Sequence, residues 1–146
     1  MVRLFTGQLM PNFSFRTPFK NDLSFYDEVE GKKTAILFHR FIGCRLSQFD
    51  IRNLIQAYDQ IAASGTNVFV VVQSPPETVR GYYAESSLPI IIICDPEQLL
   101  YKQFEIPVAA SVEELKGGNF NKKMEEIEKK ILSKAILKGN HYNYLR

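Results

Sequence analysis

The sequence predicts an α/β fold whose middle layer is a parallel three-stranded sheet. Three short and almost unbroken apolar runs, Thr34–Phe38, Val68–Val72 and Pro89–Cys94, have the composition of strands covered on both faces. The stretches that follow them carry apolar residues at helical spacing. Strand and helix therefore alternate, which implies parallel strands joined by right-handed crossovers and helices on both sides of the sheet.

Taken in order, residues 1–33 are rich in Gly, Pro, Asn and aromatics. Pro11-Asn12-Phe13-Ser14-Phe15 reads as a short strand before a turn around Pro18, an ornamental N-terminal hairpin. Thr34–Phe38 is expected to be the central strand. From Leu46, the residues Ile51, Leu54, Ile55, Tyr58, Ile61 and Ala62 keep one helical stripe, and Gly65 offers a left-handed stop, so one helix is expected over 46–64. After the second strand, Ser74-Pro75-Pro76-Glu77 combines a capping box with proline in the first turn, which starts a helix reaching about Ala84. After the third strand, Asp95 can cap the next helix. Ser111-Val112-Glu113-Glu114 is another capping box. Beyond the hinge Gly117-Gly118, a long amphipathic helix carries Phe120, Met124, Ile127, Ile131, Ala135 and Ile136 on one side.

At 146 residues, 45% apolar and 23% charged, the chain fits a single domain over 1–146 with a real core. It divides into an N-terminal extension (1–33), a core (34–104) and a helical tail (105–146). The net charge of +2 gives no argument for nucleic acid or an anionic membrane as partner. Two cysteines cannot frame a chain of this length with disulfides, and neither a signal peptide nor a run of membrane-spanning length is present, so a soluble protein of the reducing cytoplasm is expected. The two histidines and two cysteines lack metal-ligand spacing, Gly117-Gly118 lacks the surroundings of a phosphate loop, and no cofactor is expected.

The chemistry concentrates at Arg40-Phe41-Ile42-Gly43-Cys44-Arg45-Leu46-Ser47, where the first strand runs through a glycine into a cysteine at the start of a helix. There a thiol meets unpaired backbone N–H groups and the positive end of the macrodipole, and both favour the thiolate. Arg40 and Arg45 are candidate cations for that thiolate, and Ser47 can donate a hydrogen bond to it. His39 is a weaker candidate, as a base. Cys94 ends a different strand. With the strand order 3-2-1 the two cysteines stand two interstrand spacings apart, about 9.6 Å, against the 7 Å or so within which a disulfide closes. Cys94 is therefore read as structural.

Gly7, Pro11 and Phe13, then Gly31-Lys32-Lys33, Arg40-Phe41-Ile42-Gly43-Cys44, Leu88-Pro89, Cys94-Asp95-Pro96 and Leu100-Tyr101 together resemble the peroxiredoxin-like branch of the thioredoxin-fold superfamily, the alkyl hydroperoxide reductase and thiol-specific antioxidant group. The resemblance covers nearly the whole chain and implies a thioredoxin-like three-layer sandwich. It places Cys44 where the family's thiol attacks a hydroperoxide or disulfide substrate, with a small thiol or a redoxin as reductant.

Three departures shape the expectation. Ser47 stands where a Cys-x-x-Cys pair would have its second cysteine, so resolution needs an external thiol. Phe41 stands three residues before Cys44, where typical peroxiredoxins have a Thr or Ser that orients peroxide, so peroxide turnover should be slow. The family normally continues with a cis-proline, two antiparallel strands and a closing helix, whereas this chain stops at Arg146. The leading function is a peroxiredoxin-like thiol oxidoreductase. The alternatives are a monothiol transferase, which Ser47 favours, and a degenerate redoxin domain acting as an interaction module. An uncovered edge on Thr34–Phe38 would be met by the chain's own termini or by a second copy in a homodimer.

Overall fold

The computed structural model describes residues 3–115 and 121–129, which fall into two compact units divided after Ile106. The first unit is built on three parallel strands, β3 (Lys33–Phe38), β4 (Thr66–Val72) and β5 (Ile91–Cys94), in the order β3-β4-β5. Ala35 is in register with Val68 and Phe38 with Val71, and Val72 is in register with Cys94.

The middle place belongs to β4. Phe69, Val70, Val71 and Val72 are all fully buried, as a strand must be when neighbours take both of its edges and other layers take both of its faces. Thr34–Phe38 was expected to be central; β3 instead forms one side of this sheet, half-buried, and among the described residues it pairs with β4 alone. Both strands are equally apolar in composition; the expected strand order 3-2-1, which sets Val68–Val72 in the middle and Thr34–Phe38 at one side, is the order observed.

Alternation along β4 sorts the core into two layers. On one face Val68, Val70 and Val72 meet Ile42, Ile51, Val79, Ile90 and Ile92; on the other Phe69 and Val71 meet Phe13, Phe15, Phe25, Leu100 and Phe104. The N-terminal hairpin is therefore not ornamental. Its strands β1 (Ser14–Phe15) and β2 (Leu23–Ser24) and the short helix α1 (Phe25–Val29) deliver aromatic rings that close the second face. Phe13 stacks on Phe25 at 4.7 Å, and Phe25 meets Phe69 edge-on at 5.7 Å. The segment also reaches the free side of β5, where the Cys94 N–H donates to the Arg16 carbonyl at 2.9 Å and the Arg16 guanidinium grips both Glu97 oxygens at 2.9 Å.

The first face is covered by helices. In place of one helix over 46–64 there are two, α2 (Arg45–Gln56) and α3 (Tyr58–Ala63), parted at Ala57, whose backbone leaves the helical region at φ −90°, ψ 2°. The apolar stripe continues across the break, so spacing alone could not locate it. Gly65 follows α3 at φ 70°, the left-handed stop that its lack of a side chain permits. Helix α4 (Pro76–Tyr82) starts with Pro75 as N-cap and has no side-chain cap; it stops two residues short of Ala84, before a 3₁₀ turn at Glu85–Ser87. The Ser74 hydroxyl, expected to cap it, is engaged elsewhere. Asp95 does serve α5 (Leu99–Gln103): its two carboxylate oxygens accept from the N–H groups of Leu99 at 2.8 Å and Leu100 at 2.9 Å.

In the second unit α6 (Val112–Leu115) opens on Ser111, whose hydroxyl accepts from the Glu114 N–H at 3.1 Å while the Glu114 carboxylate reaches back to Ala110. A further helix covers 121–129. The expected hinge Gly117-Gly118, Phe120, and the continuation through Ile131, Ala135 and Ile136 lie outside the described residues. No described helix is long and apolar enough to cross a membrane.

Candidate active site

The loop that carries Cys44 is tied down before the helix begins. Past the end of β3, the His39 N–H donates to the Val71 carbonyl at 2.8 Å and the Gln73 N–H donates to the Arg40 carbonyl at 3.3 Å, which holds the chain against β4 for two more residues. The Tyr101 hydroxyl bonds the carbonyls of both His39 and Val71. Burial, reinforced by the nearby Asp95 charge, raises the Tyr101 phenol well above its usual range and keeps it a donor.

Ile42 then turns inward and is fully buried. Its N–H donates to the Ser74 hydroxyl at 2.9 Å and its carbonyl accepts from the Gln48 side-chain amide at 3.0 Å. The Cys44 N–H closes a tight turn onto the Phe41 carbonyl at 3.0 Å. These restraints deliver Cys44 to the N-cap of α2 with an extended backbone, and its carbonyl accepts the first helical bond, from the Gln48 N–H at 3.0 Å. Cys44 is 8% exposed and its side chain makes no capping hydrogen bond to the first turn of α2. All of this lies at the C-terminal ends of the parallel strands, where open α/β sheets place their sites.

Of the other candidates, Ser47 is buried one turn beyond Cys44 and so shares its side of α2. Arg45 is exposed at the first helical position, next in the chain to Cys44. Arg40 is exposed too, and its guanidinium lies 5.3 Å from the centre of the Phe41 ring, a cation–π contact. Arg16–Glu97 and Lys32–Glu30 are ion pairs, and no such pair is seen for Arg40 or Arg45 among the described residues.

Cys94 ends β5, 4% exposed, with β4 between it and β3. Burial pushes its thiol up to about 12, against the opposing pull of Arg16 and Arg80 and with a smaller push from Glu77. Both cysteines are free. An open cleft of about 830 Å³ beside the N-terminal hairpin includes Cys94 and Asp95 among its walls but not Cys44. Among the described residues no three His, Cys, Asp or Glu side chains are grouped to hold a metal ion.

Sequence reasoning missed Ser74, Gln48, Tyr101 and Tyr82. A Cβ placed on Gly43 would stand 3.3 Å from the Phe41 ring edge and 3.3 Å from the Tyr82 hydroxyl, so two aromatic side chains from different elements converge on the residue before Cys44. Gly43 itself marked a close approach. Nothing local marked Ser74, Tyr82 or Tyr101, which lie about thirty residues or more away along the chain.

Residues 6–130 match the AhpC/TSA family. The chain belongs to that family. No curated protein matches it in sequence. Among solved structures, a cysteine-to-serine mutant of peroxiredoxin 6 from Arenicola marina superposes with a TM-score of 0.62 at 15% identity, covering 74% of this chain and 52% of that one, so the match spans about half of the Arenicola protein. The reduced 2-Cys peroxiredoxin of Plasmodium vivax gives 0.62 at 11% identity, covering 74% of this chain and 73% of that one. AhpC of Enterococcus faecalis gives 0.61 at 11% identity, covering 98% of this chain and all of that one. At these identities the likeness concerns the fold, and this AhpC/TSA chain has the thioredoxin-like α/β architecture.

Proposed function

We propose that the chain is a thiol oxidoreductase of peroxiredoxin type in which Cys44 is the reacting thiol. The observation that carries this reading is the seat of Cys44 at the N-terminus of α2, beyond the end of β3, in a chain of the AhpC/TSA family. Backbone N–H groups of the first turn and the helix dipole favour negative charge there. Deprotonated Cys44 attacks the terminal oxygen of a hydroperoxide. An S–O bond forms, the O–O bond breaks, and the alcohol or water leaves with the proton, so that sulfur is oxidised by two electrons to a sulfenic acid. An external thiol then forms a mixed disulfide with loss of water, and a second thiol releases Cys44. The external thiol is part of the proposal because Cys94 ends the strand two places from β3 and its thiol is pushed up by burial. Arg40, Arg45 and Ser47 are proposed to support the charge. A small thiol or redoxin as reductant, a second copy pairing along β3, and a cytoplasmic setting complete the reading.

A second reading, exchange with mixed disulfides, is favoured by Phe41, which offers no hydroxyl to a peroxide. Intact-mass measurement separates the two. A gain of one oxygen on Cys44 after stoichiometric hydroperoxide, absent in Cys44→Ser and reversed by added thiol, supports the peroxidase; an adduct formed only with a disulfide supports the transferase. No adduct with either leaves a redoxin fold used for interaction.

A further inference from the structure

We infer that Arg40, Phe41 and Tyr82 form a binding site at the mouth of Cys44 for an organic carboxylate with an aromatic or alkyl body. The inference rests on the reading of Cys44 as the reacting thiol, and it names the kind of molecule brought to that thiol.

Three observations converge on it. Phe41 is 46% and Tyr82 51% exposed, two of the large apolar side chains that the described residues leave in water, and the Phe41 ring edge and the Tyr82 hydroxyl each lie 3.3 Å from where a Cβ on Gly43 would stand. Singly such residues are ordinary; paired beside a buried thiol they offer apolar walls to a ligand. The Arg40 guanidinium lies over the Phe41 ring and, like Arg45, has no carboxylate partner among the described residues. A guanidinium held near a ring by its charge keeps its N–H groups available to a planar anion. The platform is also built in advance. The carbonyls of Arg40 and Phe41 hold Gln73 and Cys44, Ile42 is anchored to Ser74, and Gly43 leaves the space into which the two aromatics settle. Little order has to be imposed on binding, which is where affinity is usually lost. A small neutral molecule such as hydrogen peroxide uses neither the rings nor the cation, whereas an amphipathic carboxylate uses both.

The test uses the reduced full chain and unreactive probes: 4-phenylbutyrate, with 4-phenylbutanol and butyrate as controls, followed by amide chemical shifts and by protection of Cys44 from iodoacetamide. Saturable phenylbutyrate binding is expected to shift Arg40–Arg45 and Tyr82 and to slow Cys44 alkylation. Either control should bind roughly two- to five-fold more weakly, the worth of one exposed ion pair or of part of an aromatic contact. Arg40→Gln should lose the preference for the carboxylate over the alcohol, and Tyr82→Ala should weaken both ring-bearing probes. Gly43→Ala, which presses on the Phe41 ring edge and the Tyr82 hydroxyl, is a second route to the same loss. Absence of saturable binding at millimolar probe, equal binding of all three probes, or binding unchanged in Arg40→Gln and Tyr82→Ala overturns the inference. None of these readouts requires Cys44 to be oxidised, so failure of the thiol chemistry is seen separately, in the intact-mass experiment.

Discussion

The hydroxyl of Ser74 accepts a hydrogen bond from the backbone N–H of Ile42 at 2.9 Å, across 32 residues of sequence. It joins the loop after β4 to the loop that presents Cys44, and it is buried. Ser74→Ala leaves that N–H without a partner, which costs about 1–3 kcal/mol. Urea unfolding should show a loss of this size, and Cys44 alkylation should change rate in the native state as its loop loosens. Unchanged stability and rate would mean that Ser74 does not brace the loop.

Alkylation should discriminate sharply between the cysteines. With its thiol pushed up to about 12 by burial, Cys94 carries almost no thiolate at pH 8. Peptide mass spectrometry after limited iodoacetamide should find Cys44 labelled well ahead of Cys94. Equal labelling in the folded protein would contradict the assignment of Cys44 as the reacting thiol.

The same burial makes stability fall in alkali. Below pH 9.0, the ordinary value of the Cys94 thiol, folded and unfolded chains both hold the proton and the stabilisation is complete. Between pH 9.0 and about 12 the unfolded chain loses the proton while the folded chain keeps it, so stability drops by up to about 1.4 kcal/mol per pH unit. Cys94→Ala removes this contribution. Its unfolding midpoint should fall less steeply above pH 9 than that of the wild type, and identical slopes would sink the idea.

Phe41→Thr places a hydroxyl three residues before Cys44, where it can donate to a bound peroxide. One added hydrogen bond in the transition state predicts oxidation of Cys44 by hydrogen peroxide about tenfold faster. Stopped-flow measurement with excess peroxide reads this directly, and a rate at or below wild type would show that Phe41 does not limit the reaction with peroxide.

Peroxide consumption in the presence of an added thiol should be abolished in Cys44→Ser and near normal in Cys94→Ser, because the order β3-β4-β5 keeps Cys94 two strands from β3. Loss of turnover in Cys94→Ser would make it the resolving thiol.

What was legible in the sequence is what local pattern encodes. Apolar runs of strand length alternating with helical stripes specify a parallel sheet, because both faces of such strands must be covered and the crossovers have one hand. Cys44 at the head of a helix was legible for the same reason, since Gly43 and the stripe beginning at Leu46 mark the start of α2. Ser111 caps as its motif suggests, while Asp95 reaches the first turn of α5 from ahead of the N-cap residue, Gln98. Ser74 carries an equally good capping motif, yet a buried N–H from another loop claims its hydroxyl, and only the folded chain brings the two within reach. The break at Ala57, the Phe13–Phe25–Phe69 cluster and the meeting of Phe41 and Tyr82 over Gly43 are likewise settled by tertiary contact. Periodicity reports which face of an element is apolar; which distant surface that face meets depends on how all the elements fill one core at once.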